Sequence, residues 1–501
     1  MSLFGQEFEQ IWPIAGAAIK LTEFGKNLLK KCETVTKPDT SNINIKEVIK
    51  RSSNFPVEFG TNTCRIISQP KDRYPIIEQQ IASAYPVIHE RVLSLYIDFL
   101  EHKCKYGSEI EKKLYQQIGV PELVQRLLAQ RCVCFIGGGD SFLLLNNIKS
   151  FDGFEEVGTV KEKLPLTLQN VLSYDEIKLS ALLSVSSHSE FINNGNRNNN
   201  GRVEIDKSKI VPCGVIIGLI GARFERKNVM EWQDVMITPE QNTFQNGYGL
   251  PMNEAPKNGA ENYRRLWKEF YDENDFEYEK AAKITDKQRF HDMEDIAGIF
   301  DNLMLKKRYT ISFDTLLLDS NSRAAAINKQ AYIHVVGIGL GVWKAVDYQN
   351  KLFLKTFSQR LKVLMPKLSN VAAVHFSWFH LDEFEDLKNN GFLKSEAHPN
   401  GGIKIFLSDR NPAAKLPSEF ANSLLVVSYA WDGNAFPGNE FWIKMLNSTG
   451  DASTACSTLI TELHNPLINC EMVNGENLHI ASEEFGIIHL GEYAKKILER
   501  K

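Results

Sequence analysis

Apolar and polar positions divide the chain into two textures. Up to about residue 140 the apolar residues recur at helical spacing, in RYPIIEQQIASAYPVIHERVLSLYIDFLEHK (73–103) and PELVQRLLAQRCVCF (121–135), the mark of amphipathic helices. Residues 38–43 are a polar connector. The run NNGNRNNNG (193–201) reads as a solvated loop, either a boundary or an insertion at a loop tip. Beyond it the apolar positions become continuous. IVPCGVIIGLI (210–220), AYIHVV (331–336), VAAVHFSWF (371–379), GGIKIFLSD (401–409) and LLVV (424–427) read as strands, the first and last of them buried. Residues 261–300 are charged and helical, 319–329 form a short alanine-rich helix, and 348–364 form an amphipathic helix stopped at Pro366. Strand, helix and strand over 331–379 make a βαβ unit with parallel strands. The expected organisation is a mostly helical region (1–150), a linker or insertion with the Asn-rich loop (151–205), an α/β domain of three layers (206–470) and a charged helical tail (471–501).

Composition narrows the functions. A 501-residue chain with 43% apolar residues supports a sizeable core, and a net charge of −4 argues against a nucleic-acid footprint. Eight cysteines without dense regular spacing point to reduced thiols, and Cys132-x-Cys134 has no partner pair at zinc spacing. The apolar start IWPIAGAAIK is too short to span a bilayer, and no other run reaches that length. A soluble protein without a metal or other cofactor is expected.

Two strand-to-glycine-loop units carry the candidate chemistry. One is Gly337-Ile338-Gly339-Leu340-Gly341; the other is residues 424–442, LLVVSYAWDGNAFPGNEFW. In a parallel sheet both loops emerge at the carboxyl edge, where their N–H groups suit a diphosphate. No Gly-Lys-Ser/Thr follows, so neither is a nucleotide-hydrolase P-loop. The dinucleotide fingerprint also fails, because position 342 is valine. A dehydrogenase would need that third glycine and an acid at the end of the next strand, where Asp382 is only near. The second loop holds acids instead of a lysine: Asp432 and Glu440, with Asp451 next. Such a loop binds phosphate through its backbone and keeps its acids for proton or water chemistry. Asp432-Gly433 serves equally as a turn pair, and Glu440 as a first-turn acid facing a helix dipole.

The order of these pieces resembles macrodomains, which bind ADP-ribose, with the later half placed before the earlier. SNSRAAAINKQAYIHVVGIGLGVW looks like the later half, and IKIFLSDRNPAAKL with NSLLVVSYAWDGNAFPGNEFW like the earlier. GLIGARFE (218–225), TPEQNTFQNGYG (238–249), HVVGIGLGVW and YAWDGNAFPGNE are similar to the MavL-like family of secreted bacterial effectors, whose site design is related to that of poly(ADP-ribose) glycohydrolases. The resemblance implies a permuted macrodomain-like α/β/α sheet and an ADP-ribosyl hydrolase acting on a modified host protein. It further implies ubiquitin as that protein, type IV secretion and action in the host cytoplasm. The glycohydrolase signature of three glycines and Gln-Glu-Glu is absent from the loop, and Gly137-Gly138-Gly139 lies elsewhere, in the helical part.

Under this resemblance Asp432, Glu440 and Asp451 are the catalytic acids. Asp409 would accept from the adenine amine, although a strand-end turn aspartate reads the same way. Gly337, Gly339 and Gly341 would approach the diphosphate, walled by Val342 and Trp343. Gly438 and Asn439 would close the other side, Asn434 would hold a ribose hydroxyl, and Arg223, Asn242 and Asn246 would reach the same pocket. Arg223 is equally an ion-pair residue. His334 and His375 read as core histidines and Lys306-Lys307-Arg308 as a solvated turn. A non-catalytic ADP-ribose reader remains an alternative, as does a nicotinamide-linked oxidoreductase. A transferase is weaker, its Glu277-x-Glu279 pair being nonspecific.

Overall fold

The computed structural model describes residues 21–294 and 296–500; the IWPIAGAAIK segment lies outside them. The fold is mixed α/β around one ten-stranded sheet. In chain order its strands are β1 (Tyr85–His89), β2 (Leu183–Glu190), β3 (Cys213–Leu219), β4 (Ala331–Val335), β5 (Val371–Phe376), β6 (Gly391–Lys394), β7 (Gly402–Leu407), β8 (Leu424–Ala430), β9 (His479–Ser482) and β10 (Gly486–His489). They lie in the order β6-β7-β5-β4-β8-β3-β2-β1-β9-β10. The five strands β7, β5, β4, β8 and β3 are mutually parallel, and β2 is antiparallel to both of its neighbours. The parallel strands are the ones whose apolar residues run without alternation, because helices cover both faces of such strands. All five residues of β4 are buried, and β8 is buried up to Tyr429.

Residues outside the expected α/β segment also enter this sheet. The stretch expected to continue as helix at 83–89 is strand β1 in place of helix, followed by α1 (Glu90–Tyr106). Pro86 is the physical reason: it lacks the N–H a helix interior requires, and Val87 and Ile88 favour the extended backbone. The C-terminal segment likewise supplies β9 and β10 before its final helix, Leu490–Leu498. Residues 261–300 divide into α2 (Gly259–Tyr271) and short strands.

The helix expected at 319–329 is the end of a 25-residue helix, α3 (Asn302–Ala326), capped by Asp301, whose carboxylate accepts from the Leu303 and Met304 N–H groups. The Lys306-Lys307-Arg308 triplet is therefore not a solvated turn. All three lie buried in its first turns. Lys307 donates to the Tyr271 carbonyl at 2.7 Å. Arg308 donates to the Ala181 and Ile220 carbonyls, both at 2.9 Å, and to Glu231 at 3.1 Å. Three adjacent cations mimic a solvated face in sequence; here carbonyls and the acids Glu273 and Glu231 satisfy Lys307 and Arg308 in the interior.

Beneath the sheet, α3 meets α4 (Gln349–Leu364), the crossover from β4 to β5, through a fully buried charge cluster. Arg360 on α4 donates to Asp314 at 2.7 and 2.6 Å and to Glu483 at 3.1 Å. His89 Nε2 lies 3.5 Å from Asp314. His89, Asp314 and Glu483 are close enough to share a metal ion. Two facts speak for a structural ion cluster instead. Arg360 already stands where a cation would. His89 Nδ1 accepts from the Arg91 N–H at 3.2 Å, which puts the ring proton on Nε2, the atom a metal would need bare. Arg360→Leu leaves two buried carboxylates without their cation and is expected to cost about 3–5 kcal/mol, read as a lowered midpoint in urea or thermal unfolding.

Candidate functional site

Three loops leave the carboxyl edge of neighbouring parallel strands: 220–229 after β3, 431–438 after β8 and 336–347 after β4. The expectation that both glycine loops share this edge holds, and β3 adds a third. Gly221 and Gly339 bring the outer two into contact. A Cβ on Gly221 would stand 2.3 Å from the Gly339 nitrogen, and Gly339 itself has φ 71°. Their meeting closes the cleft over the middle loop. A narrow cleft remains, lined by Ile220, Gly221, Arg223, Glu231, Trp343 and Gly433 among others.

The middle loop and the short helix α5 (Gly450–Ala455) assemble the acids. Asp451, in the first turn of α5, is fully buried; its oxygens accept from the Asp432 N–H at 3.1 Å and the Gly438 N–H at 2.8 Å. Glu440 is 7% exposed and accepts from the Thr449 hydroxyl at 2.9 Å. That hydroxyl also caps α5, accepting from the Ala452 N–H at 3.4 Å. Asp432 is only partly buried and accepts from the Asn439 side chain at 2.9 Å. Asp432, Glu440 and Asp451, expected from sequence as the catalytic acids, therefore stand together.

Their electrostatics are those of crowded carboxylates. Burial pushes the Asp432 carboxyl well above the usual range, and the nearby Glu440 charge and a hydrogen bond with Glu440 push it further. Asn439 and Arg223 act against the shift. Asp451 is also pushed well up, by burial and then by Asp432, against the two N–H groups it accepts from. Such a pair retains a proton where isolated carboxylates have lost theirs, so one member can donate while the other accepts.

Arg223 is 4% exposed, and one of its nitrogens has no partner. The others donate to Asp140 and the Gly137 carbonyl, both at 2.8 Å, and to Glu225 at 3.1 Å. Glu225 also accepts from the Trp343 indole at 3.1 Å, tying the outer loops together. The Gly137-Gly138-Gly139 run thus belongs to the site's surroundings, although its position in the chain argued otherwise. It and the following Asp140, with Thr449 and Glu225, are the residues sequence reasoning passed over. The triple glycine before an aspartate was the available signal; Thr449 left none beyond its place as a cap.

The other expected residues are distributed as follows. Val342 is 78% exposed at the rim. Asn434 is fully buried, has φ 59° and turns its amide to Cys132. Gly438 has φ 104° and Asn439 φ 37°, consecutive left-handed residues that reverse the chain. Both amide hydrogens of Asn439 are used within the protein, on Phe135 and Asp432. Asp409 is exposed at the end of β7, about 14 Å across the sheet from β8 by strand spacing. Asn242 lines a different cavity with Arg264 and Trp267, and Asn246 bonds to its own turn. His334 and His375 are buried and hydrogen-bonded to the Arg410 and Ser408 carbonyls.

Three clustered acids thus lie beside a glycine-bearing carboxyl edge of an open α/β sheet. Residues 46–496 match the family model described as ADP-ribosylhydrolase MavL-like. The chain is similar to two Drosophila melanogaster proteins: ADP-ribosylarginine hydrolase CG2909 is 51% identical over 500 residues, 99% of each chain, and ADP-ribosylarginine hydrolase CG3568 is 52% identical over 492 residues, 97% of this chain and 95% of that one. The chain belongs to the MavL-like ADP-ribosylhydrolase family and is an ADP-ribosyl hydrolase that acts on ADP-ribosylated protein. That settles against a non-catalytic reader and a dehydrogenase. Among the described residues no helix is long and apolar enough to cross a membrane.

Asp432 and Asp451 have raised folded values, so the stability they contribute is present below the unfolded carboxylate range and lost as pH rises toward those values. Asp432→Asn removes part of that loss. Its thermal midpoint relative to the native protein is expected to improve between about pH 5 and about pH 8. Its hydrolase activity is expected to fall about 100- to 10,000-fold.

Proposed function

We propose that the enzyme cleaves the bond between the anomeric carbon of ADP-ribose and an arginine side chain, with Asp432 and Glu440 as the reacting pair. The observation that carries this is the clustering of three acids, two buried and one partly buried, with Asp432 and Asp451 pushed upward by burial and by neighbouring carboxylate charge; such a cluster favours a cationic guanidinium over a neutral leaving group. The names of both long relatives, which are ADP-ribosylarginine hydrolases, support the same linkage.

In this reading Asp432, the one acid of the three that is only partly buried, takes a proton from water as the water oxygen bonds to the anomeric carbon. The carbon–nitrogen bond breaks, its electron pair stays on the guanidine nitrogen, and a proton passes back to that nitrogen to regenerate arginine. Glu440, held by the Thr449 hydroxyl, is the hydrogen-bonding partner of Asp432. Asp451, with an N–H on each oxygen, sets the loop's shape. Gly337, Gly339, Gly341 and Gly438 line the path of the diphosphate and Val342 and Trp343 wall it, while Asn434, buried with its amide on Cys132, shapes the loop and does not contact the ribose. Arg223, with one nitrogen unsatisfied, is available to a phosphate oxygen. Asp409 takes the adenine amine at the far side. The strand order, with the glycine-loop unit β4–α4–β5 preceding β7 and β8, supports a permuted macrodomain-like arrangement. The ubiquitin, type IV secretion and host-cytoplasm readings rest on the effector members alone.

The test is to incubate the protein with substrates ADP-ribosylated on arginine, on serine and on glutamate, and to quantify released ADP-ribose by mass spectrometry. Release from the arginine-linked substrate is expected, with loss in Asp432→Asn and Glu440→Gln. Release from another linkage but not from arginine would overturn the assignment.

A further inference from the structure

Asn439 was expected to touch substrate, yet its side chain is 1% exposed and its amide is engaged with protein on every side. The Oδ1 atom accepts from the Phe135 N–H at 2.8 Å, and Nδ2 donates to the Phe135 carbonyl at 3.1 Å and to Asp432 Oδ2 at 2.9 Å. The first two bonds copy a strand pairing with the hairpin strand Cys134–Ile136, itself paired with Ser141–Leu143. The third is spent on the acid.

No other side chain of that length fits all three. Aspartate supplies no donor, serine is too short to reach both partners, and glutamine would push the amide past them. The backbone conformation agrees, since asparagine tolerates the left-handed φ of 37° better than most residues. Gly438 before it, at φ 104°, admits no Cβ without approaching Ala455 and Phe441 at 3.1 Å.

We propose that Asn439 is the positioning residue that fixes the Asp432 carboxylate in its reacting orientation and ties it to the hairpin some 300 positions away in the chain. The inference rests on the role given to Asp432 in the reaction. Asn439 makes the hairpin part of the active site: the backbone of Phe135 sets where the amide stands, and the amide sets where Asp432 points. Its N–H also favours the ionised form of Asp432, in opposition to Glu440.

The test compares Asn439→Ala, Asn439→Asp and Asn439→Ser with the native enzyme on arginine-linked substrate, recording kcat and KM across pH together with thermal melts. The amide's loss is expected to lower kcat about 10- to 100-fold with KM changed less than about threefold. The pH limb assigned to Asp432 is expected to move to higher pH in the alanine variant and further in the aspartate variant. Asn439→Asp keeps an acceptor for the Phe135 N–H but donates nothing to Asp432. This variant also loses the bond to the Phe135 carbonyl, so the pH limb decides: retained activity, or a fall in activity with the limb unmoved, would show no hold on Asp432 and would sink the proposal. A raised KM with unchanged kcat would also overturn it, by showing direct substrate contact. Asn439→Ser, the least bulky polar change, decides the matter if the other two do not fold. Activity surviving in Asp432→Asn would instead overturn the role of Asp432 itself, so the two failures are distinguishable.

Discussion

Three carboxylates gathered within one loop and the first turn of one short helix repel each other, and most of the site is arranged to hold them there. Asp451 is held by two backbone N–H groups, Glu440 by the Thr449 hydroxyl and Asp432 by the Asn439 amide. These neutral donors stabilise each acid without cancelling its charge. Arg223 is the cation that bears on Asp432, and its own charge is shared with Asp140 and Glu225. The cluster therefore keeps an excess of negative charge that only a ligand or a proton can relieve. Function is bought here with strain that the surrounding fold holds in check.

The rest of the architecture serves that placement. β8 carries the acids between β4 and β3, so both flanking loops lean over them. The contact of Gly221 with Gly339 sets how close those loops come, and the Glu225–Trp343 bond joins them. Below, Arg308 of α3 fixes the Ile220 carbonyl at the start of the β3 loop. A cation buried in a helix thus helps set the wall of the cleft.

Continuous apolar runs made the parallel strands legible from sequence, because burial on both faces leaves a local signature. The acid-bearing loop was legible for the same reason: it follows directly from β8. What stayed hidden depends on distant partners. Pro86 marked a break in the helical pattern, yet the pairing of β1 into the main sheet needed partners about 100 and 390 residues away. Lys306-Lys307-Arg308 looked solvated because the carbonyls and the acids that receive Lys307 and Arg308 come from other segments. Gly137-Gly138-Gly139 sat outside the recognised segment and reached the site through Arg223. Composition likewise misled at the Asn-rich loop.

That loop is not a solvated linker. Asn193 donates to the Cys456 carbonyl at 3.1 Å and Asn199 to the Ser453 carbonyl at 2.9 Å, both from buried positions. The amides receive carbonyls at the exit of α5, the helix that carries Asp451 at its entry. A stretch that looks like filler thus braces, through two carbonyls, the short helix that carries Asp451, an acid it never touches. Adding or removing residues there would alter the spacing of the reacting groups while leaving every one of them in place. A change of length in this asparagine run is therefore a change at the acid cluster, made from a segment that holds none of the acids.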